Sequence, residues 1–193
     1  MLEQAKMRRF VPFALSSLAL FCLGLAPLSS PAATLEKLST DRLIAESTEI
    51  VRGSVTYCVA NYRPPVIWTM CEVAVSERYK GAPAARVMVA VPGGTALNLG
   101  IRQAYAGAPT LERDKDYLFF LWQGKTGLKQ IMGLSQGLLS IVKDEKGNLI
   151  AYRAKTEERM LDATGHEITD TDFRMRLTEM RAKIQLGVQG GLR

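Results

Sequence analysis

The amino-terminal 32 residues constrain the fold of this chain most, because they decide which residues belong to the folded domain. Lys6, Arg8 and Arg9 precede residues 10–25, which contain no charged side chain. A basic start followed by a short apolar run is typical of a secretory signal peptide. The run is shorter than the roughly 20 residues of a spanning helix. We therefore predict a cleavable signal peptide over residues 1–32 and no stable membrane anchor after cleavage. An uncut anchor is the alternative.

Small residues indicate where the signal peptide would be cut. Ser30 and Ala32 satisfy the small-x-small rule for cleavage before Ala33. Roughly 160 residues then remain, enough for one domain with a modest core. We predict a single β-barrel-like domain over residues 33–186 and a flexible tail over residues 187–193. The expected location is the periplasm, with the medium as the alternative.

The charge pattern argues against nucleic acid as a partner. The chain holds 25 basic and 19 acidic residues, so its excess of positive charge is mild. Lysine and arginine form no block longer than a pair, and aromatic residues are not interleaved with them. Nucleic-acid-binding surfaces usually show such clustering. We therefore predict no nucleic-acid partner.

Two cysteines remain once Cys22 leaves with the signal peptide. Cys58 and Cys71 lie on consecutive strand-like segments, residues 50–59 and 66–75, joined by a connection that ends in two prolines. An even pair in an oxidising compartment favours one disulfide. Pairing about the prolines places the two cysteines opposite each other across a hairpin. Two buried free thiols are the alternative.

The register that aligns the cysteines conflicts with the apolar pattern of the first strand. It places Thr56 opposite Val73, whereas the apolar Val51 and Val55 lie on the other face. A bulge inserts one extra residue and so exchanges the two faces. We therefore expect a bulge near Gly53.

Short strands between two helices make up the rest of the domain. Thr40 can cap a helix over residues 41–46, with Leu43 and Ile44 turned inward. Apolar, β-branched runs bounded by turn residues predict further strands at 86–91, 117–122, 128–132, 138–142 and 149–152. The fold class predicted is mainly β with flanking helices.

A closing amphipathic helix is predicted from apolar spacing. Four apolar residues repeat at intervals of four, three and four: Phe173, Leu177, Met180 and Ile184. Acidic residues precede this stripe and Gly187 follows it, as at helix starts and ends. We expect the helix to pack on its own domain, with packing on a partner as the alternative.

Residues 94–109 are the longest segment predicted to be irregular, and they contain three glycines. Irregular loops on a rigid scaffold often carry binding sites. Arg102 and Tyr105 are therefore our candidate binding residues. A plain connector is the alternative.

One motif suggests catalysis. Residues 133–137, Gly-Leu-Ser-Gln-Gly, match the nucleophile elbow of serine hydrolases, and the lone His166 could act as base for Ser135. An elbow leads into a helix, but residues 138–142 predict a strand. We therefore predict no catalytic site, and a small secreted hydrolase using Ser135 and His166 is the alternative. A single histidine without clustered cysteines or carboxylates also predicts no metal site, and we expect no cofactor.

Several short motifs in order resemble the netrin and tissue-inhibitor-of-metalloproteinase modules, and exported bacterial proteins of the same pattern. They are residues 49–55, 69–81, 87–89 and 115–120, within about 47–122. The resemblance implies a closed five-stranded, OB-like β-barrel with flanking helices, a fold that commonly binds rather than catalyses. Those inhibitors chelate zinc through an amino-terminal cysteine, which the mature chain lacks, so that activity does not carry over. We expect an exported noncatalytic binding or accessory module whose partner is another envelope or secreted protein.

Overall fold

The computed structural model describes residues 33–190, which form a mainly β structure with two α-helices, as predicted. The helices are α1 (Thr40–Glu46) and α2 (Leu177–Gly190). The strands are β1 (Thr34–Glu36), β2 (Glu49–Arg63), β3 (Val66–Lys80), β4 (Arg86–Pro92), β5 (Gly94–Ala96), β6 (Ile101–Gln103), β7 (Asp116–Gln123), β8 (Lys129–Ile131), β9 (Leu138–Lys143), β10 (Leu149–Arg153), β11 (Arg159–Leu161), β12 (Glu167–Ile168) and β13 (Phe173–Arg176). The predicted signal peptide lies outside the described residues. Over residues 33–190, no helix is long and apolar enough to span a membrane.

The main sheet has the strand order β13-β10-β9-β7-β2-β3-β4-β8, and β8 also pairs with β7. Strands β7, β2, β3, β4 and β8 therefore form a barrel-like ring. The link between β4 and β8 is a single Cα pair, Ala90 with Gln130, whereas all three residues of β8 pair with β7. The closed barrel implied by the family resemblance is therefore wrong in this respect, since the ring is only partly closed.

The β2–β3 hairpin has the predicted register at the cysteines, but the register shifts between Val55 and Tyr57. Cys58 lies opposite Cys71, and a disulfide joins them. A bulge just after Val55 then places this residue opposite Val73, and both side chains are fully buried. A further register shift occurs beside Gly53. The predicted bulge is confirmed, but the one that reconciles the two faces follows Val55.

Successive side chains along β7 pack into two different hydrophobic cores. On β7, Phe119 packs with Val55 and Val73 inside the ring, whereas the adjacent Phe120 packs against the helices. The second core contains Ile44 of α1, together with Met180 and Ile184 of α2. Because successive strand side chains point to opposite faces, a strand buried on both faces needs the continuous apolar run seen in β7.

The amino-terminal helix agrees with its prediction except at the cap. Leu43 and Ile44 are buried, as expected. The capping residue is Ser39 rather than Thr40, and the Ser39 hydroxyl accepts a hydrogen bond from the Arg42 N–H (3.2 Å).

The carboxy-terminal helix differs from its prediction at both ends. Phe173 lies on β13, because residues 173–176 pair with β10, and the helix begins at Leu177. It continues through Gly187 to Gly190, so residues 187–190 are helical rather than part of a tail. The reason is that Gly187 is a packing contact with α1 and not a helix stop.

Candidate binding cleft

A cleft of about 360 Å³ opens beside the disulfide. Three parts of the chain line it: the Cys58–Cys71 bridge with Thr69, the turn from β4 into β5, and residues 102–111. Most of the segment predicted to be irregular is thus ordered around this cleft, as strands β5 and β6 joined by a single 3₁₀ turn, Leu97–Leu99. The β5–β6 hairpin forms a two-stranded sheet of its own.

Glycines allow the hairpin to approach β2 and β3 closely. Gly93 and Gly94 have φ values of +96° and +130°, which favour glycine. A Cβ at Gly94 would collide with the Thr69 hydroxyl oxygen and lie 3.0 Å from the Cβ of Ala60. The Thr69 hydroxyl donates to the Gly93 carbonyl (2.7 Å). The turn is therefore pressed against the hairpin that carries the disulfide.

The side chain of Gln103 fixes the second hairpin strand. Its Oε1 accepts a hydrogen bond from the Ile67 N–H (2.7 Å), while the Ile67 carbonyl accepts one from the Gly93 N–H (2.7 Å). Strand β3 thereby holds both ends of the β5–β6 hairpin. Strands therefore form one part of the cleft, in which Gln103 has a structural role, whereas residues 104–111 line the rest of it without regular secondary structure.

Arg102 and Tyr105, the residues predicted to bind, both line this cleft. Arg102 is the one charged residue among the described residues that line it. Its guanidinium makes no hydrogen bond or ion pair within residues 33–190, and the Tyr105 side chain is 42% exposed. Their role in binding stays a prediction. The sequence did not indicate Thr69 or the disulfide as part of the site, because only the tertiary fold brings them to residues 102–105.

Exposed apolar side chains lie on the β5–β6 hairpin, which lines the cleft, and on the end of β2. Leu97 is 86% exposed at the hairpin tip, and Leu99 is also exposed. A second depression of about 200 Å³ lies next to the cleft, lined by Tyr62, Ile101 and Arg102 among others. We call Tyr62, Leu97, Leu99 and Ile101 the apolar rim. Clustered exposed hydrophobic residues mark interaction sites more often than isolated ones do.

The serine motif lies in a turn that leads into strand β9, not into a helix. The His166 side chain is 83% exposed and its Nδ1 contacts the Thr164 hydroxyl (2.8 Å). In the described part of the chain, no hydrogen bond joins Ser135 to His166. The neighbouring Gln136 is buried and anchors β1, since its amide accepts from the Leu38 N–H (2.8 Å) and donates to the Glu36 carbonyl (3.0 Å).

One group of titratable side chains with shifted pKa values, around Glu77, lies in an ion-pair network that does not line the cleft. Glu77 accepts hydrogen bonds from Tyr79 (2.7 Å), from Arg52 (2.5 Å) and from Arg181 of α2. Burial and the hydrogen bond to Glu77 raise the pKa of Tyr79 to about 12. These contacts tie α2 to the sheet, so their pKa shifts reflect structure rather than chemistry at a site.

Metal-binding side chains are not clustered in the part of the chain that the structure describes. Among residues 33–190, no group of three or more histidine, cysteine, aspartate or glutamate residues could hold a metal ion.

No protein-family model and no curated protein matches the chain. The cleft and the rim beside it are therefore the basis for a functional proposal.

Proposed function

We propose that this protein is an exported noncatalytic binding module that holds a segment of another envelope or secreted protein. The proposal rests on one observation, the cleft of about 360 Å³ with the apolar rim beside it. Its volume falls in the usual range of ligand sites, roughly 300–1,000 Å³. The rim extends the contact surface beyond the cleft, which favours an extended partner over a small molecule.

The fixed framework of the cleft also favours binding. Thr69 and Gln103 hold the hairpin through hydrogen bonds to the backbone, and the disulfide forms part of the wall. A preorganised surface loses less conformational entropy when it binds. No hydrogen bond joins Ser135 to His166 within residues 33–190, so the hydrolase alternative gains no geometric support.

The location is proposed from the disulfide and the amino-terminal segment. The Cys58–Cys71 bond is typical of exported proteins, because such bonds form in oxidising compartments. We propose that the mature protein is located in the periplasm.

The partly closed ring of β7, β2, β3, β4 and β8 supports a further proposal, that the domain is a variant of the netrin-like, OB-like barrel.

Affinity capture with a variant pair tests the binding surface. The mature protein, exported with its own leader, is used as bait on envelope and secreted fractions, with readout by mass spectrometry. Leu97→Ser should remove any stoichiometric partner, because this side chain is 86% exposed on the rim. Leu186→Ser is the matched control, since Leu186 is 71% exposed on α2. A partner retained by Leu97→Ser, or lost equally with Leu186→Ser, would contradict the proposed surface.

A further inference from the structure

The charge of the cleft is one-sided. Arg102 lines it, and no aspartate or glutamate does so among the described residues. Several buried or half-buried arginines of the domain are paired with carboxylates: Arg52 with Asp116, Arg78 with Glu49, and Arg153 with Asp170. Arg102 has no such partner within residues 33–190, and it shares this with Arg63, Arg174 and Arg176, none of which lines the cleft. Arg102 therefore presents an uncompensated guanidinium at the mouth of the cleft.

Hydroxyl groups near Arg102 are also available to a ligand. Thr95, Tyr105 and Thr110 line the cleft, and their hydroxyl groups make no hydrogen bonds within residues 33–190. A hydroxyl can donate to an anion, and a guanidinium presents a planar set of donors that matches the two oxygens of a carboxylate. The cleft thus offers donors and positive charge, a combination that complements a carboxylate.

We infer that the cleft binds a carboxylate carried by an extended peptide segment, with Arg102 as its ion-pair partner. This inference rests on the proposed function. A peptide is favoured because Arg102 and Gln103 line both the cleft and the second depression, which contains the apolar Ile101 and Tyr62. A residue next to the acid can therefore place an apolar side chain on the rim. The carboxylate belongs to an acidic side chain or to a free chain terminus, and both use the same chemistry.

Two displayed libraries of random heptapeptides test this inference and separate the two sources. One library presents free carboxyl termini, and the other presents the peptides internally. Each is selected on the mature wild-type protein. Enrichment of aspartate or glutamate in the internal library supports a side-chain carboxylate, whereas selection only from the free-terminus library supports a terminal one. Selected peptides without acid enrichment and without a need for a free terminus would overturn the inference while leaving the binding module in place.

Substitutions at Arg102 complete the test with a selected peptide. Arg102→Gln should weaken its Kd at least tenfold without changing Tm, and Arg102→Lys should restore part of the loss. In Arg102→Gln, replacing the peptide carboxylate by its amide should have little further effect, because the pair is already broken. Arg176→Gln, on β13, is the control and should bind normally. Equal Kd values for wild type and Arg102→Gln would overturn the inference, and failure to select any peptide would overturn the proposed function with it.

Discussion

Gly187 of α2 lies so close to Ile44 of α1 that a Cβ at position 187 would be 2.7 Å from Cγ2 of Ile44. Ile44 is only 2% exposed, and its β-branched side chain has little rotameric freedom. The two helices therefore meet at a contact that only glycine permits. A glycine that resembles a helix stop in the sequence is a packing residue in the structure.

Gly187→Ala should therefore destabilise the protein. Alanine improves helix propensity by about 1 kcal/mol, but its Cβ would crowd the buried Ile44 side chain, and overpacking typically costs about 1–3 kcal/mol. We expect a net loss of about 1 kcal/mol in the free energy of unfolding, measured by urea denaturation. Gly190→Ala is the matched control, because nothing lies within 4 Å of a Cβ there. It should leave stability unchanged or slightly raised.

A double-mutant cycle isolates the contact as the cause. Ile44→Ala removes the Cγ2 atom that a Cβ at position 187 would meet. In that background Gly187→Ala should no longer destabilise. An equal loss of stability in both backgrounds would contradict the packing explanation.

The pH dependence of stability should include a contribution from Asp170, whose side chain is 1% exposed. Burial alone would raise the pKa of Asp170, but hydrogen bonds from Arg153 (2.7 and 3.2 Å) and the Thr156 N–H (3.0 Å) outweigh it and lower this pKa to about 2. A carboxylate with a lowered folded-state pKa stabilises the fold above its unfolded pKa of about 4, and loses that contribution as pH falls toward 2.

Asp170→Asn should therefore cost about 2 kcal/mol of unfolding free energy at pH 7, with the difference from wild type shrinking between about pH 4 and pH 2. Denaturant unfolding at a series of pH values measures this. Asp41→Asn is the control, because the Asp41 side chain is 77% exposed. A wild-type advantage over Asp170→Asn that is constant down to pH 2 would contradict the lowered pKa.

Local pattern predicted the hairpin, its disulfide and α1, because these depend on residues near one another in sequence. The strands of Cys58 and Cys71 are joined by a single turn. In the register that pairs the cysteines, Val55 would lie on the wrong face of its strand, and this indicated a bulge that the structure then located. The start of α2 could not be predicted in the same way. Phe173 fits a helical stripe, yet pairing with Arg153 of β10 makes it part of a strand.

Features that depend on contacts between residues distant in the sequence could not be predicted from local sequence patterns. Closure of the ring depends on how many residues of β8 pair with β4. One Cα pair forms between them, so the ring is only partly closed. Arg102 and Tyr105 were proposed as binding residues on a segment expected to be irregular, but the cleft that they line was not predicted. Its opposite wall, Thr69 and the disulfide, comes from a different hairpin and gives no signal in the sequence of the loop.

The disulfide predicts that the mature protein has no free thiol. Alkylation without reductant, followed by mass spectrometry, should modify neither Cys58 nor Cys71. Replacing both by serine should lower the free energy of unfolding by about 3 kcal/mol, because the bond restricts a short loop in the unfolded chain. Two alkylated cysteines in the exported protein would contradict the bond.

Ser135 should have no catalytic role. We expect Ser135→Ala to leave the rate of p-nitrophenyl acetate hydrolysis unchanged from wild type, because Ser135 and His166 share no hydrogen bond and the turn leads into β9. His166→Ala is measured alongside it. A loss of activity in both variants would instead support the hydrolase alternative.

Gly94 should control the shape of the cleft, because its missing Cβ lets the β5–β6 hairpin reach Thr69 and Ala60. Gly94→Ala should push the hairpin away, increase amide exchange in β5 and β6, and reduce capture of the peptide or protein partner. Gly100→Ala is a matched control in the same hairpin. Gly100 also has a positive φ of +64°, so alanine is strained there by about 1–2 kcal/mol, but nothing lies within 4 Å of its Cβ. Equal loss of binding in both variants would show that backbone strain, and not contact with β2 and β3, determines the cleft.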